Sequence, residues 1–327
     1  MQPPSNPSPA VIGVVGPTGS GKTALAIAMA RRLDTEIISA DSMQFYRGME
    51  IGTAAPTGGE QAAAKHHFVS FIDPDQAMSA SDFERLARQE IARINAEGKP
   101  AIVCGGSGLY VSAVVEGLFP GPARSESVRA KLKQEAEEQG NEAMMARLRA
   151  VDPEYAALLS SGNDLVRIVR ALEVYELTGQ PFSRLHAEHR AAAEPLDAVL
   201  LGLDWPREAL YERINRRLDA MIGSGWVEEV QALIDLGYGE HIERLKALGF
   251  REIAAYLRGE QSLDDAIEAA KMHHRRYAKR QLSWFRNVLN VHWLAVDAET
   301  STDALAERAL DRLYAERPGA WPGRSSD

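Results

Sequence analysis

The chain has 327 residues, of which 45% are hydrophobic and 25% are charged, and its formal net charge is −9. This composition is typical of a globular protein whose core needs no disulfide or metal. Because the chain as a whole is acidic, any nucleic-acid partner must be bound by a local basic patch. The single cysteine, Cys104, excludes an internal disulfide and a cysteine-rich zinc site. The absence of an 18-residue apolar run and of a signal-peptide pattern predicts a cytoplasmic protein without a membrane partner.

Strand and helix patterns alternate over the first hundred residues. Residues 1–10 are rich in proline and predict a disordered tail, and residues 11–15 form an apolar run typical of a buried parallel strand. A capping-box pattern at residues 81–84 predicts a helix from Asp82 to about Ala96. A further helix is predicted over residues 22–33, and further strands over residues 36–40 and 101–104. This alternation predicts an α/β fold with a mostly parallel sheet flanked by helices.

The pattern changes at a break rich in proline and glycine over residues 119–122. Beyond it, up to residue 179, only helical periodicity is found, over residues 128–139, 142–150 and 165–177. Later strands are predicted at residues 198–203 and 291–296, and later helices at residues 207–222 and 226–236. We therefore predict an α/β core over residues 11–118 and 198–315, with an all-helical insertion domain over residues 119–197.

A phosphate-binding loop follows the first predicted strand. Every position of the motif G-x-x-x-x-G-K-[ST] is filled, by Gly16, Pro17, Thr18, Gly19, Ser20, Gly21, Lys22 and Thr23. The glycines allow backbone N–H groups to converge on phosphate oxygens, and the following helix adds the positive end of its dipole. Lys22 supplies a positive charge, and the Thr23 hydroxyl can bind Mg²⁺. The motif therefore indicates a diphosphate with Mg²⁺, but it does not distinguish a nucleotide from a prenyl diphosphate.

Asp41 directly follows the second predicted strand. Ligands of open α/β sheets bind at the carboxyl ends of strands, so this side chain is expected beside the phosphate-binding loop. It could bind Mg²⁺ through water or accept a proton from a nucleophile. The alternative is a structural role as the N-cap of a helix.

A basic stretch over residues 271–286 contains six Lys or Arg residues and no acidic residue. Cations interleaved with aromatic side chains suit a nucleic-acid backbone and its bases, which predicts RNA contacts at Arg275, Arg276 and Arg280. The alternative is an amphipathic helix with solvated charges. Tyr277, Arg280 and Trp284 share one helical face, so some of the aromatic residues are expected in the core.

Two other features are open to both a functional and a structural interpretation. The glycine-rich turn at residues 105–110 could approach a ligand closely or could be an ordinary turn between strand and helix. Arg213 and Arg217 lie one helical turn apart and could bind a phosphate together, although a solvated face is the commoner arrangement.

Several stretches together resemble the bacterial tRNA dimethylallyltransferases, also called tRNA isopentenyltransferases. Their order and spacing match from about Val11 to Trp293. The matching stretches are residues 16–23, 37–49, 51–54, 105–110, 167–175 and 275–281. The most distinctive are Asp-Ser-Met-Gln, which begins at Asp41, and Arg-Tyr-Ala-Lys-Arg-Gln, which begins at Arg276.

The resemblance implies transfer of the dimethylallyl group of dimethylallyl diphosphate to N6 of adenosine 37, beside the anticodon of tRNA. In this family the phosphate-binding loop holds the prenyl diphosphate. Asp41 is then the expected general base, Thr23 the expected Mg²⁺ ligand, and Arg217 a second clamp on the leaving diphosphate. A prenyl carbon can carry positive charge as its bond to oxygen breaks, so the leaving group's charge must be neutralised. No protein partner is required, and a monomer is expected.

The resemblance also implies a set of tRNA contacts. They are Asp41, Ser42, Met43, Gln44, Ser107, Arg129, Val166, Arg167, Ile168, Val169, Arg170, Lys246, Ala247, Leu248, Gly249, Phe250 and Arg251. Ser107 stands where the family more often has threonine, and it keeps the hydroxyl group. Leu165 and Val166 stand where a Pro-Gln pair is common, so one glutamine contact is lost.

Three other functions are compatible with parts of the sequence. A small-molecule kinase would use ATP in the same loop but would leave the basic stretch without a role. A non-catalytic RNA-binding module would leave Asp41 and the phosphate-binding loop unused. Prenylation of free adenine nucleotides would use the same chemistry on a smaller acceptor.

Overall fold

A six-stranded parallel sheet forms the core of the protein. The computed structural model describes residues 11–119, 121–159, 164–192, 195–318 and 321, so the predicted tail and Pro120 in the predicted break lie outside the described residues. The strands lie in the order β3-β2-β4-β1-β5-β6, and every pairing is parallel. They are β1 (Val11–Val15), β2 (Ile37–Ser39), β3 (His66–His67), β4 (Ala101–Gly105), β5 (Ala198–Asp204) and β6 (Val291–Ala295). The predicted fold class is confirmed.

Sixteen helices are found in the described residues. Those before β5 are α1 (Lys22–Leu33), α2 (Glu50–Thr53), α3 (Gly58–Ala63), α4 (Ala80–Ala96), α5 (Gly108–Glu116), α6 (Glu126–Gln139), α7 (Asn141–Val151), α8 (Pro153–Leu158), α9 (Leu165–Thr178) and α10 (Phe182–Ala192). Those after β5 are α11 (Arg207–Gly223), α12 (Trp226–Asp235), α13 (Gly239–Leu245), α14 (Phe250–Leu257), α15 (Leu263–Val288) and α16 (Thr302–Glu316).

The chain divides into two compact units. One comprises residues 1–115 and 196–327 and contains the sheet, and the other is the helical unit Glu116–Pro195. The insertion was predicted at residues 119–197. Each unit has its own hydrophobic core, which in the helical unit includes Leu132, Leu148, Ile168 and Leu172.

β1 lies at the centre of the sheet, between β4 and β5. Its side chains are at most 1% exposed, because helices cover both faces. Leu25 and Met29 of α1 are fully buried in the same core. Since all strands run in one direction, the segments that follow β1, β2 and β4 emerge at the same edge of the sheet.

α4 begins earlier than the sequence predicts. Its N-cap is Ser79, whose hydroxyl accepts the Asp82 N–H at 3.1 Å while the Asp82 carboxylate accepts the Ser79 N–H at 3.3 Å. The predicted capping box at Ser81 was therefore wrong by two residues, because Asp82 is the reciprocal partner of the cap. In the described part of the chain, no helix combines the length and the apolar character needed to cross a membrane.

Candidate active site

The phosphate-binding loop connects β1 to α1 in a tight turn. Gly16, Gly19 and Gly21 have φ angles of 136°, 80° and 95°, a backbone region that side chains strongly disfavour. The Lys22 ammonium donates to the Pro17 carbonyl at 2.8 Å, across the loop. Burial lowers the pKa of Lys22 to about 8. An anion bound beside Lys22 would stabilise the charged form of its ammonium group.

Two arginines of α11 reach this loop. Arg217 Nη2 donates to Thr18 Oγ1 at 2.6 Å, and Arg213 Nε donates to the Gly19 carbonyl at 3.1 Å. The Arg213 guanidinium also lies over the Trp205 ring, 4.4 Å from its centroid. The solvated face that we considered the commoner arrangement is therefore wrong for this pair, whereas the neighbouring Arg216 is exposed.

Two buried polar atoms at this site have no hydrogen-bond partner among the described residues. Burial lowers the pKa of Arg217 to about 10, and its Nε has no hydrogen-bond partner among the described residues. The Ser20 hydroxyl within the loop also has no hydrogen-bond partner among the described residues. Buried donors are normally satisfied, so unsatisfied donors beside three cations mark a place built to receive acceptor oxygens.

Asp41 lies at the end of β2, within the electrostatic reach of Lys22 and Arg217. Its Oδ1 accepts the Met43 N–H at 3.1 Å and closes a short turn. The next helix begins only at Glu50, so the alternative of a helix N-cap is wrong. Burial raises the pKa of Asp41, and the Met43 N–H, Lys22 and Arg217 act in the opposite direction. A carboxylate held in this way can accept a proton more readily than an exposed aspartate.

The glycine-rich turn after β4 is packed against the protein itself. A Cβ added to Gly105 would lie 2.1 Å from the Ala40 carbonyl oxygen, and one added to Gly108 would lie 2.2 Å from the Trp284 ring. At Gly106 the close neighbour is the Gln281 amide, at 2.4 Å. These glycines therefore permit close packing of the chain, which favours the structural interpretation of this turn.

Gln281 of α15 joins this turn to the phosphate-binding loop. Its Oε1 accepts the Thr18 N–H at 2.8 Å, and its Nε2 donates to the Gly106 carbonyl at 2.8 Å. The side chain is 5% exposed. Gln281 was not predicted as a site residue, although it is the last residue of the motif Arg-Tyr-Ala-Lys-Arg-Gln that carries the resemblance.

Ser107 and Tyr277 complete the surroundings of Asp41. The Ser42 N–H donates to Ser107 Oγ at 3.3 Å. Tyr277 interacts with Ser107 and Gln281, and burial raises its pKa to about 12, with Asp41 contributing to the rise. Tyr277 is a second residue of the site that the sequence analysis placed only on a helical face.

The phosphate-binding loop, Asp41 and the two arginines of α11 border a cleft of about 650 Å³. Its polar lining includes Lys22, Thr23, Asp41, Arg213 and Arg217. Its apolar lining includes Ile37, Ile51, Ala54, Ala55, Pro56 and Met221. The cleft can therefore receive a molecule with an anionic end and an apolar end.

Thr23 remains the predicted Mg²⁺ ligand. Within the described ranges, no group of three or more His, Cys, Asp or Glu side chains could hold a metal ion. Thr23 and Asp41 both line the cleft. This small set of oxygen donors fits Mg²⁺, which commonly binds one or two protein oxygens and completes its coordination with water and substrate phosphates.

The basic stretch lies on α15, and its charges differ in their surroundings. Lys271 pairs with Asp219 and Glu268, and Arg286 pairs with Asp204. Arg275 Nη1 donates to Asn215 Oδ1 at 2.7 Å. Arg276, Lys279 and Arg280 are exposed and have no acidic partner among the residues that the structure describes. Of the aromatic residues in this stretch, Phe285 is fully buried, whereas Tyr277 and Trp284, which share a face with Arg280, are half-buried.

Other predicted tRNA contacts in the sheet-containing unit differ in exposure. Gln44 Nε2 donates to the Ala54 carbonyl at 3.0 Å, and its Oε1 accepts the Ser39 hydroxyl at 2.9 Å. In the segment 246–251, Ala247 and Phe250 are buried, and a Cβ on Gly249 would lie 2.1 Å from Trp226. The exposed side chains there are Lys246 and Arg251, with Leu248 between the two classes. Ser42 and Met43 are half-buried.

The remaining predicted contacts lie in the helical unit. Val166 is 84% exposed and Arg167 is exposed, whereas Ile168 and Val169 are buried in the core of this unit. Arg129 and Arg170 both bind the Glu173 carboxylate, at 2.9 and 2.7 Å. The sequence analysis did not identify Glu173. The tRNA contacts of both units stay predictions, and exposure now separates those with accessible side chains from those in a core.

The fold and the cleft define a class of protein. A phosphate-binding loop follows a central strand of a parallel sheet, and Lys22, Arg213, Arg217 and Asp41 line the cleft beside it. This is an α/β protein of the phosphate-loop class with a cationic cleft beside its loop.

Comparison with known sequences identifies the family. The model of the IPP transferase family matches residues 44–288, and the chain belongs to that family. The chain is 46% identical over 294 residues to tRNA dimethylallyltransferase 1 of Pelobacter propionicus, which covers 90% of this chain and 95% of that protein. It is 44% identical over 285 residues to tRNA dimethylallyltransferase of Geobacter sulfurreducens, with 87% and 91% covered. The predicted family is confirmed.

Solved structures have the same fold. The tRNA delta(2)-isopentenylpyrophosphate transferase of Staphylococcus epidermidis aligns with a TM-score of 0.68 at 35% identity, over 94% of this chain and 99% of that one. A eukaryotic dimethylallyltransferase acting on tRNA aligns with a TM-score of 0.79 at 27% identity, over 94% and 80%.

Proposed function

We propose that the protein transfers the dimethylallyl group of dimethylallyl diphosphate to N6 of adenosine 37 in tRNA and releases diphosphate. The observation that carries the proposal is the meeting of Lys22, Arg213 and Arg217 with Asp41 in one cleft that also has an apolar wall. Family membership and the names of the relatives agree with it.

The cationic side of the cleft would bind and stabilise the diphosphate. Loop N–H groups, Lys22, Arg213 and Arg217 face the phosphate oxygens, which gain charge as the bond between carbon and oxygen breaks. The apolar side, which includes Ile51 and Ala54, would receive the five-carbon group. Fixed charges in a buried cleft stabilise this leaving group more strongly than water does.

Asp41 would serve the acceptor side of the reaction. The adenine N6 forms a bond to the prenyl carbon, the bond from that carbon to the diphosphate oxygen breaks, and a proton passes from N6 to the Asp41 carboxylate. The raised pKa of Asp41 suits a group that must hold this proton. Ser107 accepts the N–H of the neighbouring Ser42, and Tyr277 lies within electrostatic reach of Asp41, so both would help to position the Asp41 carboxylate.

Mg²⁺ belongs to this proposal as a cofactor. The Thr23 hydroxyl would hold the ion, with phosphate oxygens of the donor as further ligands. The ion supplies positive charge that offsets the charge of the diphosphate. Lys22 and Arg217 supply the protein's share of the same neutralisation.

The tRNA would present its anticodon loop to the cleft. The target base must leave its stack, which costs a few kcal/mol and least for an unpaired loop base. The exposed cations Arg276, Lys279 and Arg280 would bind the RNA backbone, and the exposed Val166 and Arg167 of the helical unit would add contacts. We propose a cytoplasmic monomer with tRNA as its macromolecular partner.

Label transfer tests the proposed function. Unmodified tRNA is incubated with labelled dimethylallyl diphosphate and Mg²⁺, without ATP, and the RNA is then isolated and counted. We expect label in tRNA, little label in AMP, and none with Asp41→Ala. Unlabelled tRNA, together with ATP consumption in a separate reaction that contains ATP and small acceptors, would contradict the proposal and favour a kinase.

A further inference from the structure

The short helix α2 depends on a distant side chain for its N-terminus. It has four residues, and its own N-cap residue, Met49, provides no side-chain hydrogen bond. Instead, Glu229 of α12 accepts the Ile51 N–H with Oε2 at 2.7 Å and the Gly52 N–H with Oε1 at 2.8 Å. Each carboxylate oxygen therefore satisfies one N–H group that a helix of this length cannot satisfy itself.

The same helix is also fixed at its side and at its C-terminus. A Cβ on Gly52 would lie 2.0 Å from Trp226 Nε1 and 2.5 Å from the Phe250 ring, so α2 lies directly against these rings. At the C-terminus, Gln44 Nε2 donates to the Ala54 carbonyl at 3.0 Å. Glu229 is thus one of a few contacts that determine where α2 lies.

The position of α2 matters because it forms part of the cleft wall. Ile51, Thr53 and Ala54 line the cleft together with Lys22 and Thr23 of the phosphate-binding loop. Much of the apolar lining belongs to α2 and the residues directly after it. Glu229 itself is not a lining residue, so any influence on a bound molecule acts through α2.

We propose that Glu229 is a positioning residue. It holds α2 in the place where Ile51 and Ala54 receive the hydrocarbon group of the prenyl donor. The inference rests on the proposed function and adds a residue to it. It predicts that the apolar part of the donor depends on Glu229, whereas the diphosphate part depends on the phosphate-binding loop.

The electrostatics of Glu229 separate this role from a purely structural one. Burial raises the pKa of Glu229 to about 7; the Gly52 and Ile51 N–H groups lower it, and Glu50 raises it. A raised folded-state pKa means that the carboxyl contributes stability at low pH, which is lost as the pH rises through about 7. At pH 8 the ionised group lowers stability. Glu229→Gln removes that charge but also loses one of the two hydrogen bonds, and because these two changes oppose each other we expect a melting temperature within about 2 °C of the wild type.

The test compares Glu229→Gln and Glu229→Ala with Glu228→Gln, a matched control at the exposed neighbour on the same helix. An amide has one acceptor oxygen, so Glu229→Gln can satisfy only one of the two N–H groups. The Kd is measured without tRNA for two probes: unreactive dimethylallyl thiodiphosphate and inorganic diphosphate. KM for the donor, KM for tRNA and kcat are then measured by label transfer.

We expect Glu229→Gln to weaken thiodiphosphate binding and raise the donor KM by about tenfold, the effect of roughly one hydrogen bond to a charged group. Diphosphate binding, the tRNA KM and kcat stay within about twofold, and Glu228→Gln resembles the wild type. Unchanged thiodiphosphate binding, or equal weakening of both probes, overturns the inference. If the wild type labels no tRNA, the proposed function fails. The Kd values of the two probes still show whether Glu229 affects the apolar wall of the cleft.

Discussion

The cleft and the helical unit use the same kinds of charged residues in opposite ways. In the cleft, Lys22 and Arg217 are half-buried near Asp41 without an ion pair to it, and both have a lowered pKa. In the helical unit, Glu173 is 0% exposed and accepts bonds from Arg129, Arg170 and the Ser125 N–H. Burial alone would raise the pKa of Glu173, but these bonds lower it to about 2. The charges of the helical unit are therefore paired within the protein, whereas those of the cleft leave binding capacity for a ligand.

The largest effect is expected at Asp41. Asp41→Asn keeps the size of the side chain but removes the base, so transfer should slow by about a thousandfold. In the wild type, the rate falls at low pH as Asp41 takes up a proton, and its raised pKa moves that fall to higher pH than for a free aspartate. The variant should lose this pH dependence. A rate within tenfold of the wild type would refute the role of base.

Glu173→Gln tests the paired charges of the helical unit. It leaves Arg129 and Arg170 with an uncharged partner, and we expect a loss of about 1.5–3 kcal/mol in the free energy of unfolding of the helical unit. All five tryptophans lie outside residues 116–195. Urea unfolding followed by circular dichroism should therefore show an earlier transition, while tryptophan fluorescence stays unchanged.

The control for that variant is Glu188→Gln, because Glu188 is 57% exposed in its pair with Arg184. It should cost less than about 1 kcal/mol. The depressed pKa of Glu173 contributes stability above about pH 4.5 that is lost as the pH falls through about 2. Coincident transitions at every pH would contradict a separate role for Glu173.

Lys22→Ala tests the unpaired side. Loss of one buried cation from the diphosphate site should lower kcat/KM for the donor by about a hundredfold. The Kd for tRNA should not change, because Lys22 lies within the loop. Lys133→Ala, at an exposed lysine of the helical unit, serves as the control. A large loss of tRNA affinity in Lys22→Ala would contradict separate sites for donor and RNA.

The smallest effect per residue is expected on the outer face of α15. Replacing Arg276, Lys279 and Arg280 by glutamine should reduce the slope of log K for tRNA against log salt by about 2–3. A control variant with Lys271→Gln and Arg286→Gln, which removes two cations with acidic partners, should change the slope less. Equal slopes for the wild type and the triple variant would mean that these charges are only solvated.

The sequence predicted the features that local pattern determines. The phosphate-binding loop is contiguous, and the position of Asp41 follows from the apolar run of β2 before it. Apolar runs likewise predicted β1, β4 and β5 to within one or two residues of their observed ends. The short α2, α3 and β3 were not predicted, because two to six residues cannot display a periodicity.

The other features depend on partners far apart in the chain. Gln281 bonds to Thr18 across 263 positions, and Glu229 bonds to Gly52 across 177. A single sequence carries no signal that pairs such residues. The two interpretations of the basic stretch could not be separated for the same reason, since Asp204 and Asp219 determine which of its cations are neutralised.

The two faces of α15 restrict how this segment can change in length. Its inner face carries Gln281, which is bonded to two loops, and its outer face carries Arg276 and Lys279. Each added or deleted residue would rotate everything beyond it by about 100°. A single insertion between Arg276 and Gln281 would therefore turn the amide away from Thr18 or turn the cations toward the core. Homologues and engineered variants can differ in side chains on the outer face, but they should keep the number of residues between the two faces.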